Sequence, residues 1–224
     1  MAASVPKHVQ IAEMGTFSAC NLIDTLEATL DLADSFYNLP EEVPALCVNL
    51  EGENLCWDGT VSILRSSVLA TSTYHQTLQS VLESSETMKV FLDVRNDSDA
   101  LFAHFGIKLD GVQDLQLMEF ASREARKSFL CGLATTVKDT GRKLFDPPSG
   151  GSYAIFDKRP LLRKITMYCI QDVQCLPQLW LVYNQKLTPH CRLQVGRESQ
   201  ARMKLSQSTD FNGQGRHMAL PLAG

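Results

Sequence analysis

The sequence predicts an α/β or α+β protein in which helices pack on a sheet. Short patterns typical of buried strands alternate with helical patterns along the chain. The longest helical pattern, over residues 160–186, places one apolar residue per turn on a single stripe. The chain has 224 residues, of which 44% are hydrophobic, so it is large enough for one core domain. We expect that domain over 41–224, with a helical extension over 1–40 packed on it.

Each element has a local signal. Ser18 or Asn21 would cap a first helix that runs to about Asn38, where Leu39 and Pro40 end it. The Asp58-Gly59 pair predicts a tight turn of a hairpin. The other elements expected in the first half are, in order, a buried strand over 44–48 leading into Asn49, hairpin arms over 55–64, a helix over 76–82 and a strand over 89–94.

The second half of the chain carries similar local signals for helices and strands. A helix over 97–105 would stop at Gly106, and Pro177 would kink or divide the long helix over 160–186. The remaining elements expected are, in order, a strand over 112–117, a helix from about Glu119 and a loop over 146–152.

Charge is distributed unevenly. The net charge is -4, yet residues 121–224 carry sixteen basic and only seven acidic residues. A basic half would suit a face that binds a polyanion such as single-stranded nucleic acid, and a solvated surface balanced by the acidic half is the alternative. No apolar run is long enough for a membrane span, so we expect no membrane partner.

Cysteine and histidine usage excludes several classes. The seven cysteines are scattered and form no C-x-x-C pair, which indicates reduced thiols in an intracellular protein, in the nucleus or the cytoplasm. The five histidines are dispersed without an H-x-x-x-H pair. A zinc site and a Ser-His-Asp site are therefore disfavoured.

Acidic and amide residues form one candidate site. Asn49 and Glu51, two apart at the end of a strand, would project from the same face. Tyr168 and Asp172 are one helical turn apart, and Asp97 would lie in the first turn of another helix. Such a cluster suits phosphodiester hydrolysis by two divalent cations. Taken singly, each element is more typical of a turn, a helix cap or a packed tyrosine than of a site.

Four segments together resemble a known family. They are NLEGENL at 49–55, DVRNDSDAL at 93–101, GGSY at 150–153 and YCIQDV at 168–173, with the Asp114-Leu-Gln segment between them. The chain resembles the 3'-5' exonuclease domain of the ribonuclease D type, in the tyrosine branch of the DEDD superfamily, and looks closest to fungal proteins with such a domain. The resemblance, over about 22–220, implies a ribonuclease H-like mixed sheet flanked by helices.

The resemblance also implies roles for residues. Glu51, Tyr168 and Asp172 would be catalytic, and Asn49, Glu51, Asp97 and Asp172 would hold two Mg2+ or Mn2+ ions. The family has an aspartate where this chain has Asn49, so the site loses one negative charge. The chain also looks shorter over 73–76 and 137–143, and the first of these gaps would remove one edge strand of the sheet.

Three hypotheses follow. The first is a 3'-5' exonuclease that acts on single-stranded RNA or DNA and is weakened by Asn49. The second is a degenerate exonuclease fold that binds nucleic acid or a protein without cutting. The third is a gene model that has lost exon pieces, or an engineered change of aspartate to asparagine.

Overall fold

The computed structural model describes residues 25–34, 44, 46–68, 77–124, 130 and 142–220. The four strands are β1 (Leu46–Glu51), β2 (Ile63–Val68), β3 (Lys89–Phe91) and β4 (Val112–Asp114). The helices are α1 (Leu26–Asp34), α2 (Leu78–Glu83), α3 (Val94–Phe105), α4 (Leu115–Ser122), α5 (Arg142–Phe145), α6 (Arg163–Gln174), α7 (Leu176–Lys186) and α8 (Pro189–Ser206). Short 3-10 turns lie at Pro147–Ser149, Tyr153–Phe156 and Arg216–Ala219. None of these helices is long and apolar enough to span a membrane.

The strands form one mixed sheet in the order β2-β1-β3-β4. β1 pairs antiparallel with β2 and parallel with β3, and β3 pairs parallel with β4. This arrangement confirms the predicted α/β class. β2 lies at an edge of the sheet formed by the described residues, and the shortened region at 73–76 falls outside them.

Helices cover both faces of the sheet, and β1 shows this by alternation. Leu46, Val48 and Leu50 belong to a core cluster that includes residues of α2 and α3. Cys47, the neighbour on the opposite face, belongs to a second cluster built with α4 and α7. Because side chains alternate along a strand, Asn49 and Glu51 project from the face of Cys47. α6 packs against both β1 and β2.

Several predicted boundaries were wrong by a few residues. The hairpin arms are β1 and β2, and the Asp58-Gly59 pair lies in the loop that joins them. α3 begins at Val94, three residues earlier than expected, and ends at Gly106 as predicted. β4 ends at Asp114 because its side chain accepts a hydrogen bond from the backbone N–H of Gln116 and so caps α4.

Two further predictions concern long helices. The helical pattern over 160–186 is divided at Cys175 into α6 and α7, with Pro177 in the first turn of α7 as proline tolerates. In the first helix the structure describes only residues 25–34, so its predicted start lies outside the described residues. The division into an extension over 1–40 and a domain over 41–224 stays a prediction.

The cysteines of the described residues are free thiols, at positions 47, 56, 169, 175 and 191. Cys20 and Cys131 lie outside the described residues. The compartment stays a prediction.

Candidate active site

The candidate site begins at the end of β1. The side-chain amide nitrogen of Asn49 donates a hydrogen bond to Oε1 of Glu51 over 2.9 Å. Both residues are half-buried, and they share a face of the strand as the i, i+2 spacing predicted. An amide therefore lies against the carboxylate at the position where the resemblance implies a second carboxylate.

Asp97 reaches the same strand end from α3. Its Oδ1 accepts a hydrogen bond from the backbone N–H of Leu50, the residue between Asn49 and Glu51, over 3.0 Å. The pairing of β1 with β3 stops at Cys47 and Val90, so this carboxylate occupies the side of β1 beyond the end of β3. Asn49, Glu51 and Asp97 are called the cleft cluster below.

Asp97 is in an unusual electrostatic environment. Burial raises the pKa of its carboxyl to about 8, and the hydrogen bond from Leu50 opposes part of that rise. The negative charge of Asp93 adds to it. No Lys or Arg of the described chain forms an ion pair with Asp97. A buried carboxylate without a basic partner suits a site at which a cation arrives from outside.

The position of Asp97 depends on Asp114. The carboxylate of Asp114 accepts hydrogen bonds from the backbone N–H groups of Asp93 and Val94, over 2.9 and 3.2 Å, at the start of α3. One side chain therefore caps both α3 and α4. The Asp114-Leu-Gln segment, interpreted from the sequence as a partner of the site, orients the helix that carries Asp97.

Tyr168 and Asp172 lie on α6, as predicted. Asp172 is buried, and its charge contributes, after burial, to the raised pKa of the neighbouring Cys175 thiol. The Tyr168 ring packs on Phe145 and Phe156, with centroids 4.7 and 6.5 Å away. These contacts hold the phenol on the part of α6 that packs over β1 and β2.

Glu51 of the cleft cluster lines, together with Leu50, a cleft of about 500 Å³. Six of the side chains that line it bear on its chemistry: Glu51, Trp57, Asn96, Asp99, Tyr153 and Phe211. Asp99 accepts a hydrogen bond from the backbone N–H of Trp57 over 2.9 Å, which ties the loop between β1 and β2 to α3.

The structure brings together three of the predicted residues, Asn49, Glu51 and Asp97. The roles given to all five, with Tyr168 and Asp172, stay predictions. Within the described ranges, no group of three or more His, Cys, Asp or Glu side chains is arranged to hold a metal ion. With Asn49 in place of an acid, the predicted ligands number one carboxylate fewer than the family arrangement.

Sequence reasoning missed the aromatic lining. In the sequence, Trp57 stands only as the neighbour of the Asp58-Gly59 turn, and Tyr153 only as the last residue of the GGSY segment. Phe211 belongs to a polar, glycine-containing stretch without helical or strand periodicity. Its only signal was that glycine-rich composition, which predicts a loop but not its destination.

Residues 48–188 match a family model described as 3'-5' exonuclease. Since the match covers more than half of the chain, the protein belongs to the 3'-5' exonuclease family. This confirms the family expected from the four segments. A comparison with curated protein sequences finds no match.

Solved structures specify the fold further. RNase D from Trypanosoma brucei matches with a TM-score of 0.70 and 19% identity, over 88% of this chain and 77% of that one. The same enzyme in complex with RNA U12 gives a TM-score of 0.63 and 20% identity, over 83% and 69%. RNase D from Escherichia coli gives 0.64 and 14% identity over 86% of this chain, which spans about half (52%) of that enzyme.

A smaller relative completes the comparison. NrnC from Brucella melitensis, solved with bound Mg2+, gives a TM-score of 0.54 and 18% identity, over 81% of this chain and 94% of that one. At these identities the similarity is one of fold alone, and it confirms the expected mixed sheet flanked by helices. The expected closeness to fungal proteins stays a prediction.

Proposed function

We propose that this protein trims single-stranded nucleic acid from the 3' end, with Mg2+ or Mn2+, and that Asn49 makes the reaction slow. The observation that carries the proposal is the cleft cluster. Asn49 and Glu51 are in contact, and Asp97 is bound to the residue between them, at the edge of a 500 Å³ cleft. Family membership supports the reaction class.

The donor set fits a hard divalent cation. Glu51, Asp97 and Asp172 would hold it through carboxylate oxygens, and Asn49 through its amide oxygen, the ligand types that Mg2+ and Mn2+ prefer. When bound, such ions stabilise charge on the attacking and leaving oxygens of a phosphodiester. The fold relative NrnC, solved with Mg2+, supports this assignment.

Asn49 weakens the site in two ways. Its neutral amide removes one negative charge from the ligand set. Its amide nitrogen also donates to Oε1 of Glu51, so that oxygen is already engaged when a cation approaches. Turning the amide would free that oxygen at the cost of the hydrogen bond.

Tyr168 would position the attacking water through its hydroxyl group. The ring is held by Phe145 and Phe156, which restricts the phenol to few orientations. Preorganisation of this kind contributes to catalysis because the water would not have to be reoriented during the reaction.

A basic stretch supports nucleic acid as the substrate. Lys158, Arg159, Arg163 and Lys164 are all exposed and follow closely after Tyr153, which lines the cleft. Arg159 also donates to the carbonyl of Ser62, in the loop between β1 and β2. Cations beside the cleft would bind the phosphates of a strand whose 3' end lies in the cleft. The fold relative RNase D binds RNA U12.

A second candidate function has one observation in its favour. The bond between Asn49 and Glu51 satisfies the carboxylate without a metal, which would suit a fold that binds nucleic acid or a protein and does not cut. The two candidates differ in whether the natural chain cleaves.

The deciding experiment compares the chain with Asn49→Asp on single strands labelled at the 3' or the 5' end, with Mn2+. We expect slow trimming by the natural chain and at least tenfold faster trimming by the variant, because the added carboxylate restores a ligand. Asn54→Asp is the matched control, since it adds the same charge to the same cleft outside the predicted ligands.

Each outcome selects one hypothesis. Trimming by Asn49→Asp alone supports the binding module. Trimming by neither form contradicts the exonuclease proposal, and sequencing the transcript across 73–76 then tests the shortened gene model. Equal gains in Asn49→Asp and Asn54→Asp would contradict the ligand role of Asn49.

The substrate class is tested by binding. We expect Arg163→Gln/Lys164→Gln to weaken binding of a single strand several-fold and to lower the salt dependence by about two phosphate contacts. Lys186→Gln/Arg197→Gln removes the same charge from exposed positions of α7 and α8 and serves as the control. Equal losses in both pairs would indicate general charge attraction without a binding face.

A further inference from the structure

The segment after α8 returns to the cleft although it lies outside the family match, which ends at residue 188. The amide nitrogen of Gln214 donates to Oδ1 of Asn54, in the loop between β1 and β2, over 2.8 Å. Arg95, at the start of α3, donates to the carbonyl of Met218 over 2.6 Å. This C-terminal segment, residues 207–220, is thus attached both to the loop between β1 and β2 and to α3.

Its internal contacts give the segment a defined shape. The side-chain oxygen of Asn212 accepts a hydrogen bond from the backbone N–H of Gln214. The backbone carbonyl oxygen of Asn212 lies 2.8 Å from Nε2 of His217. A Cβ atom on Gly213 would lie 2.2 Å from Oδ1 of Asn96, so a larger residue there would have to displace the Asn96 side chain. The segment is therefore a built part of the cleft.

Aromatic side chains reach the cleft from three separate parts of the chain. Trp57 comes from the loop between β1 and β2, Tyr153 from the 3-10 turn before α6, and Phe211 from the C-terminal segment. The polar lining consists of amides and carboxylates, and no described lining residue is Lys or Arg. Such a surface repels phosphate but offers stacking faces, donors and acceptors to a nucleobase.

We propose that Phe211 stacks on the 3'-terminal nucleobase and that residues 211–214 form the wall of the cleft that selects it. This inference rests on the proposed function and adds a recognition element from outside residues 48–188, which match the family model. The cleft volume of about 500 Å³ lies in the range of small-molecule sites and suits a terminal nucleoside. The backbone phosphates of the bound strand would then extend from the cleft towards Lys158, Arg163 and Lys164.

The test separates base stacking from folding. Two single strands are compared by equilibrium binding in EDTA, one with a normal 3' nucleotide and one with an abasic 3' nucleotide. We expect the natural chain to bind the first about tenfold more tightly, a typical contribution of one stacked base. Phe211→Ala should bind both strands equally, at the level of the abasic strand.

Two variants serve as controls. Phe105→Ala removes an exposed phenylalanine of α3 that does not line the cleft, and it should keep the tenfold preference. Phe211→Tyr keeps an aromatic face and should restore the preference. A variant that merely misfolds would lose affinity for both strands and show no rescue.

The outcomes distinguish this inference from the proposed function. If Phe211→Ala still prefers the strand with a normal 3' nucleotide, the role of Phe211 is overturned. Binding of that strand by the natural chain would still leave the proposed function intact. A natural chain that binds the strands equally overturns base recognition in the cleft. A natural chain that binds neither strand overturns both.

Discussion

Two groups of acids meet near the start of α3, where Asp93 and Asp97 are one helical turn apart in the sequence, yet their environments differ. In the cleft cluster, Asp97 accepts a backbone N–H and has no arginine or lysine partner among the described residues. Asp114, fully buried, is 2.5 Å from Nη1 of Arg202, which is also fully buried. Asp93, Arg95, Asp114 and Arg202 are called the arginine cluster here.

The difference shows which acids hold the fold and which are open to a ligand. Asp114 has its charge matched by Arg202 and its oxygens occupied by three backbone N–H groups. Asp97 has no such basic partner, and burial raises the pKa of its carboxyl to about 8. Removing one partner of a buried acid–arginine pair is costly to the fold, whereas a buried acid without such a partner is available to an external cation.

The largest expected effect comes from the same isosteric change made in both groups. Asp114→Asn should lower the free energy of unfolding by about 3 kcal/mol, because it leaves the buried charge of Arg202 with only the carboxylate of Asp93, 3.6 Å away, as an acidic partner. Asp97→Asn should change it by less than about 1 kcal/mol, because the amide oxygen still accepts from Leu50 and no charge is buried.

Urea unfolding of both variants at one pH, without divalent metal, measures the contrast. Equal losses would contradict the distinction between the two groups. A loss of stability in Asp97→Asn alone would show that Asp97, and not Asp114, is the acid on which the fold depends.

The next effect concerns the cation itself. At about ten times its Kd, Mn2+ should stabilise the chain by roughly 1.4 kcal/mol, a rise in Tm of about 3–5 °C. Asn49→Asp should reach that rise at a lower Mn2+ concentration because it adds a carboxylate ligand. Thermal unfolding at increasing Mn2+ measures this, with Asn54→Asp as the control.

Arg95→Lys and Asp97→Asn test whether the cation binds at the cleft cluster. If both variants changed the Mn2+-dependent rise in Tm by the same amount, the assignment of the cation to the cleft cluster would be contradicted. Arg95 belongs to the arginine cluster, where it binds Asp93 through two nitrogens.

The smallest effect comes from a third buried charge. Lys89 donates to the carbonyls of Val81 and Ser84, over 2.9 and 2.5 Å, and burial lowers the pKa of its ammonium group to about 8. Between pH 8 and the ordinary value near 10.5, the unfolded chain binds more protons than the folded chain. Stability due to Lys89 should therefore rise with pH, by about 1 kcal/mol from pH 7 to pH 9.

Comparison of the natural chain with Lys89→Met isolates the pH dependence of stability that is due to Lys89, because the other titrating groups act equally in both proteins. Lys108→Met, at an exposed lysine, should keep the natural slope. An identical pH profile for the natural chain and Lys89→Met would show that the two carbonyls hold the ammonium group at its ordinary pKa.

Apolar periodicity made much of this fold predictable. The stripe through α6 and α7 identified both helices, and Pro177 identified their division. α8 was missed because its buried positions are largely polar: Ser199, Arg202 and Ser206 lie inside with Val195 and Met203. Its hydrophobic signal is weak, since hydrogen bonding and the Asp114 ion pair replace apolar burial there.

The residues of the candidate site also differ in whether a local sequence pattern predicts them. Asn49 and Glu51 were predictable because two residues of one strand share a face, and Asp97 because it lies in the first turn of a helix. Phe211 was not, because it reaches the cleft through contacts such as Gln214 with Asn54, 160 positions apart. No local pattern records a contact at that separation.

The bond between Gln214 and Asn54 has a consequence for the order in which the protein is made. The strand bearing Glu51 leaves the ribosome long before residue 211, so a nascent chain would present the acids while one wall of the groove is still untranslated. Base selection by that wall would begin only once synthesis has passed residue 214. A splice form or nonsense product ending before Phe211 would retain the acids but could not discriminate among 3' ends.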